Sequence, residues 1–120
     1  MDFSLLTKGR KSQPLSKSNT VIGKKNEIFL EKGAKSEAAI FNTTSGPIYI
    51  GKNAEVMEGS VVRGPFALCE ESALKLSCKV YGPSTIGPHS KVGGEINNSV
   101  IFGYSNKAHD GFLGNSVLGE

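Results

Sequence analysis

The sequence predicts an all-β fold, a parallel β-helix of hexapeptide repeats behind an irregular N-terminal leader, and three observations carry that expectation. Aliphatic residues fall at every sixth position, at Ile50, Val56, Val62, Leu68, Leu74, Val80, Ile86 and Val92. Gly-Pro recurs at residues 46, 64 and 82, eighteen apart, which is three hexads or one full coil. Four positions after the aliphatics stand Ala54, Ser60, Phe66, Ser72, Cys78, Ser84 and Ser90, of which all but Phe66 are small. A short strand and a turn repeated at fixed length stack rung on rung, and a narrow prism needs a large residue for its interior and a small one beside each tight corner. A helix would need apolar residues three and four apart and would not tolerate Gly51, Gly59, Gly64, Gly82 and Gly87 within one stretch. A sandwich of longer antiparallel strands would place its turns roughly ten residues apart rather than at a fixed six.

Along the chain, residues 1–20 form a basic leader and residues 21–120 the repeat body. The leader and first turn, residues 1–25, hold Lys8, Arg10, Lys11, Lys17, Lys24 and Lys25 against one acid, Asp2; the remainder carries eight basic and ten acidic residues. With no aromatic interleaving and no nucleic-acid-binding module, that charge reads as a solvated linker, and no nucleic-acid partner is expected. From residue 22 the six-residue step runs through Ile22, Ile28, Ala34 and Ile40, then jumps ten residues to Ile50. The jump is expected to hold one four-residue insertion. From Ile50 to Val92 the step is unbroken.

The pattern then breaks. Continued, it would need apolar residues at 98, 104 and 110, where Asn98, Tyr104 and Asp110 stand; a new register takes up Ile101, Leu113 and Leu118. The repeat is still running at Val117-Leu-Gly-Glu120, so its last rung lacks a cover, and the chain is expected to be a piece of a longer protein that associates through the open edge. Neither a signal-peptide-like run nor the roughly 20 apolar residues of a membrane span occurs, which predicts a cytoplasmic protein with no membrane partner. Cys69 and Cys78 are nine apart, half a coil, and so belong to different faces: Cys78 in a small-residue corner slot of the core, Cys69 pointing out after Leu68. Neither belongs to a metal-ligand spacing, and no metal site is expected.

Chemistry in a solenoid belongs where repetition fails, because irregular rungs supply residues not needed for packing. His109 lies in the irregular segment Lys107-Ala-His-Asp-Gly-Phe-Leu-Gly114 and is the leading candidate for a general base. Asp110 is adjacent, but neighbours in a strand face opposite ways, which leaves the group that orients His109 open. His89, in Gly-Pro-His-Ser, occupies a regular turn and reads as a turn residue. A trimeric metal hydratase on this fold would need about three histidines per site, and the chain has two.

The segment Glu95-Ile-Asn-Asn-Ser-Val-Ile-Phe-Gly-Tyr-Ser-Asn-Lys-Ala-His109, followed by Phe112-Leu-Gly-Asn-Ser-Val-Leu-Gly119, resembles the acetyltransferase half of the bifunctional enzyme that acetylates glucosamine-1-phosphate and then couples it to UTP. It resembles still more the bacterial sugar-1-phosphate nucleotidyltransferases, the glucose-1-phosphate thymidylyltransferases and N-acetylglucosamine-1-phosphate uridyltransferases, that carry such a tail. The resemblance spans roughly residues 20 to 120. It implies a left-handed β-helix, a homotrimer with sites between neighbours, and a sugar-1-phosphate as substrate. By the same likeness His109 falls on the base that takes a proton from the sugar amine. Lys79 falls where the family has an arginine that grips the sugar phosphate, Asn97 and Asn98 on two lysines of which the first binds the same phosphate, and Phe112 on a tyrosine. Acetyl-coenzyme A and a magnesium-bound nucleotide are implied for the intact parent, with both sites outside this chain, which alone is expected to bind no cofactor and to be inactive. Two functions follow as expectations. One is the acyltransferase-like portion of a nucleotidyltransferase in nucleotide-sugar synthesis, favoured by His109 and Lys79. The other, favoured by Asn97, Asn98 and Phe112, is a trimerising or sugar-phosphate-binding module without acetyl chemistry.

Overall fold

The structure, a computed structural model, describes residues 12–97 together with the backbone pairing of four further strands, Val100–Ile101, Asn106–Lys107, Phe112–Gly114 and Val117–Leu118. Short strands, numbered along the chain, wind in parallel through three sheets. The first sheet stacks β1 (Thr20–Ile22), β4 (Ile40–Asn42), β7 (Val61–Arg63), β10 (Lys79–Tyr81), β13 (Glu95–Asn97) and β16 (Phe112–Gly114). The second stacks β2 (Ile28–Leu30), β5 (Ile48–Ile50), β8 (Phe66–Leu68), β11 (Ser84–Ile86), β14 (Val100–Ile101) and β17 (Val117–Leu118). The third holds β3 (Lys35–Ser36), β6 (Glu55–Val56), β9 (Ala73–Leu74), β12 (Lys91–Val92) and β15 (Asn106–Lys107). Each strand pairs with the strand one coil earlier and one coil later, the end strands of each sheet on one side only, so the fold is a parallel β-helix, as the hexads predict. Among the described residues no helix is long and apolar enough to cross a membrane.

The core follows the predicted frame from Ile50 onward. Ile50, Val56, Val62, Leu68, Leu74, Val80, Ile86 and Val92 are all buried, and so are the corner residues Ala54, Ser60, Phe66, Ser72, Cys78, Ser84 and Ser90. The corner hydroxyls are buried because backbone carbonyls accept from them: Ser60 donates to Lys75 O and Ser72 to Gly87 O. In the second sheet the strands bury both outer positions, so that Ile28, Ile48, Phe66 and Ser84 form a second inward column beside Leu30, Ile50, Leu68 and Ile86.

Upstream of Ile50 the expected frame is corrected. Ile22 and Ile40 are exposed and Ala34 is half-buried; of that series only Ile28 enters the core. The inward residues are Leu30, Ser36 and Phe41, fixed by the pairings Leu30 with Ile50, Ser36 with Val56 and Phe41 with Val62. The corner after Ser36 is one residue short of a hexad, with Ala38 turning at positive φ, and the corner between Phe41 and Ile50 is three residues long in excess. The expected single four-residue insertion is thus a three-residue insertion preceded by a one-residue deletion.

Corners are closed by residues in the left-handed region, where Gly33, Asn53, Glu71 and His89 stack at one edge and Ala38, Gly59, Ser77 and Gly94 at another. The third edge carries the Gly-Pro ladder, and there glycine is required by space: a Cβ on Gly64 would lie 2.2 Å from Gly46 O and 2.7 Å from Pro47 O.

Residues 12–19 close the N-terminal end of the prism. Gln13 N donates to Leu30 O, Ser12 Oγ accepts from Leu30 N, and Leu15 packs on the core. The Asn19 amide donates to Ser16 O and Ser36 O while its carbonyl accepts from Ala39 N. Ser16 and Ser18 both donate to Glu37, and those two bonds hold the Glu37 carboxyl below its ordinary pKa.

Candidate functional site

The outer face of the first sheet gathers the candidate residues that the structure describes. Val80 and Ile96 point inward, so their neighbours Lys79, Tyr81, Glu95 and Asn97 take the opposite face. The register places Lys79 beside Glu95 and Tyr81 beside Asn97, and then Glu95 beside Phe112 and Asn97 beside Gly114. Rungs are about 4.8 Å apart. Lys79, Asn97 and the strand opened by Phe112 therefore occupy three successive rungs of one face. His109 and Asn98 lie outside the described residues.

The shift that the sequence shows after Val92 is what aligns these rungs. Val80 pairs with Ile96, sixteen residues on, because the corner before β13 is tightened through buried Gly93 and Gly94, the latter at positive φ. Ile96 fills the core in place of the residue expected at 98. The new register through Ile101, Leu113 and Leu118 matches the pairings of Ile86 with Ile101, Ile96 with Leu113 and Ile101 with Leu118.

Three residues not singled out from the sequence share this face. Glu95 is exposed between Lys79 and Phe112 in register, Tyr81 is 38% exposed, and Arg63 ends the adjacent strand β7 in an exposed position. Arg63 and Tyr81 are eighteen residues apart, one coil, which is the signal that would have grouped them. Together Lys79, Arg63, Glu95, Tyr81 and Asn97 offer two cations, one carboxylate, a phenol and an amide. Such a set can hold an anionic group on Lys79 and Arg63 and hydrogen-bond hydroxyls beside it.

The remaining candidates fall elsewhere. His89 sits at a corner at positive φ, with its Nδ1 3.7 Å from Glu71 Oε1 and both side chains substantially exposed. Neither Cys69 nor Cys78 is in a disulfide: Cys78 is buried in the core, and Cys69 is half-buried on the outside of the second sheet. Burial, together with the charge of Glu70, pushes the Cys69 thiol up, opposite to what a thiolate nucleophile needs. Among the described residues no group of three or more His, Cys, Asp or Glu side chains gathers that could hold a metal ion.

Compared with models of known protein families, with curated proteins and with solved structures, the chain matches none.

Proposed function

We propose that the chain is the β-helix portion of a sugar-1-phosphate nucleotidyltransferase, and that the outer face of its first sheet receives an amino-sugar phosphate for acetylation. The observation that carries this reading is the alignment of Lys79, Asn97 and the Phe112 strand on successive rungs of one face. Lys79 supplies the charge for the phosphate and Asn97 a hydrogen bond to the sugar. His109 takes the proton released as the acceptor amine attacks the acetyl thioester, since an ammonium is not a nucleophile and a neutral imidazole is a competent base near pH 7.

In the intact parent, His109→Ala should abolish release of coenzyme A thiol with glucosamine-1-phosphate as acceptor while leaving nucleotidyl transfer nearly unchanged. Lys79→Ala should weaken acceptor binding about 10–100-fold, the loss of one charge-assisted contact. If the parent forms no acetylated product, the catalytic role of His109 is refuted.

A second reading, a trimerising or sugar-phosphate-binding module without acetyl chemistry, is favoured by one observation. Exposed Ile22 and Ile40 share this sheet with the polar rungs, giving it an apolar N-terminal end that suits assembly. Binding of the sugar phosphate without turnover, in a protein that sediments as a trimer, would establish that alternative.

A further inference from the structure

The outer face of the second sheet carries a ladder that is interrupted. The middle residues of successive strands are Phe29, Tyr49, Ala67 and Thr85, in direct register. The rings of Phe29 and Tyr49 stack with centroids 6.1 Å apart and planes 13° from parallel. The Tyr49 hydroxyl donates to Glu31 Oε2 at 2.5 Å, which fixes the ring across the strands. At the next rung Ala67 supplies a methyl group where a third ring would stand. The result is a recess of about 480 Å³ with Ala67 at its floor, Tyr49 and Thr85 as walls, and Cys69 and Pro88 closing the corner side. Lys52 and Glu70 stand at the rim with opposite charges.

We infer that this recess is a binding slot for one planar, uncharged aromatic or heteroaromatic ring system of a small molecule, stacked on Tyr49 and seated over Ala67. The register decides for a single planar layer. Tyr49 and Thr85 are two rungs apart, roughly 9.6 Å at about 4.8 Å per rung, and a ring system over Ala67 takes the one rung between them. A second stacked layer has no rung to occupy. The compensated rim and apolar walls select a neutral ligand, because a charged group would lose hydration without a dedicated counterion. The slot stands on a different sheet from the proposed acceptor face and does not depend on that reading.

Cys69 supplies the assay. It lines the slot and is half-buried, whereas Cys78 is fully buried, so N-ethylmaleimide reports on Cys69 in the folded chain. Indole should slow alkylation of Cys69 saturably, as followed by intact mass, while cyclohexanol, apolar but not planar, should not. Tyr49→Leu should weaken the indole effect about 2–12-fold, the loss of one aromatic pair. Ala67→Phe puts a ring in the slot from the protein itself. It should raise the midpoint of thermal unfolding, slow Cys69 alkylation without added ligand, and remove the effect of indole. Equal protection by cyclohexanol, no saturable protection by indole, or an Ala67→Phe protein that is less stable and keeps its indole response would each overturn the assignment. Protection that rises with protein concentration in the absence of indole would show that a second copy covers the face, and would overturn it as well.

Discussion

Replacing Ser36 by valine should make the protein more stable. Ser36 stands in the core column that continues through Val56, Leu74 and Val92, and it is 6% exposed. Its hydroxyl is buried without a hydrogen-bond partner. A buried hydroxyl in that condition costs about 1–3 kcal/mol, and the methyl group that valine adds is worth about 0.8 kcal/mol once buried. Ser36 also borders an open hollow of about 410 Å³ whose lining includes Leu15, Leu30, Ala34 and Val56 as well as Lys17, Glu37 and Glu58, so an enlarged side chain here meets less strain than in a closed core. The net gain expected is about 1–3 kcal/mol, or roughly 4–12 °C in the midpoint of thermal unfolding followed by circular dichroism. Ser36→Ala, which removes the orphan oxygen but adds no volume, should gain less than valine. A valine variant less stable than the parent by 1 kcal/mol or more, or an alanine variant that outdoes it, would refute the idea that the column is incomplete at this rung.

Leu74→Ala, in the middle of the same column, should cost about 2–5 kcal/mol in denaturant unfolding, because neighbouring coils fix its cavity from both sides. Gly64→Ala should destabilise by more than the about 1 kcal/mol of an average substitution, since its Cβ meets backbone rather than a movable side chain; chemical unfolding of the variant checks this. The clasp of Ser16 and Ser18 on Glu37 should be pH-dependent. The folded-state pKa of Glu37 lies below its ordinary value, so the contribution is present at neutral pH and is lost as pH falls through the carboxylate range. Hydrogen exchange at the Ala38 amide, which donates to Ser18 Oγ, should accelerate over that range and become pH-independent, apart from intrinsic exchange, in Glu37→Gln.

From Ile50 to Val92 the fold was legible because one side-chain class repeats without interruption, and volume in a narrow prism forces it to. Upstream, two facts hid the frame. Ile28 and Leu30 both point inward from one strand, so a six-residue step through Ile28 looked sound although the column continued from Leu30. Ser36 then put a polar residue where the column wants an aliphatic, and exposed Ile22 and Ile40 offered a false register. The site was legible in part. Lys79 and Asn97 share a face, but the sixteen-residue coil that brings them to adjacent rungs depends on the Gly93-Gly94 corner, a backbone property that composition does not reveal. Arg63 and Glu95 are not legible in this way, because an outward position in a solenoid carries no packing signature.

The number of residues per turn is not constant: Ile48 follows Ile28 by twenty, Phe66 follows Ile48 by eighteen, and Ile101 follows Ile86 by fifteen, with strand pairing kept throughout. Circumference and ladder are therefore separate variables, the first set at the corners and the second along the flats. A protein built this way can gain or lose residues at an edge without moving any side chain on its faces out of line. The long corner at Thr43–Gly46, where Thr43 Oγ1 accepts from Lys24 N and donates to Lys24 O, is a natural place to graft a new loop beside the polar rungs of the first sheet.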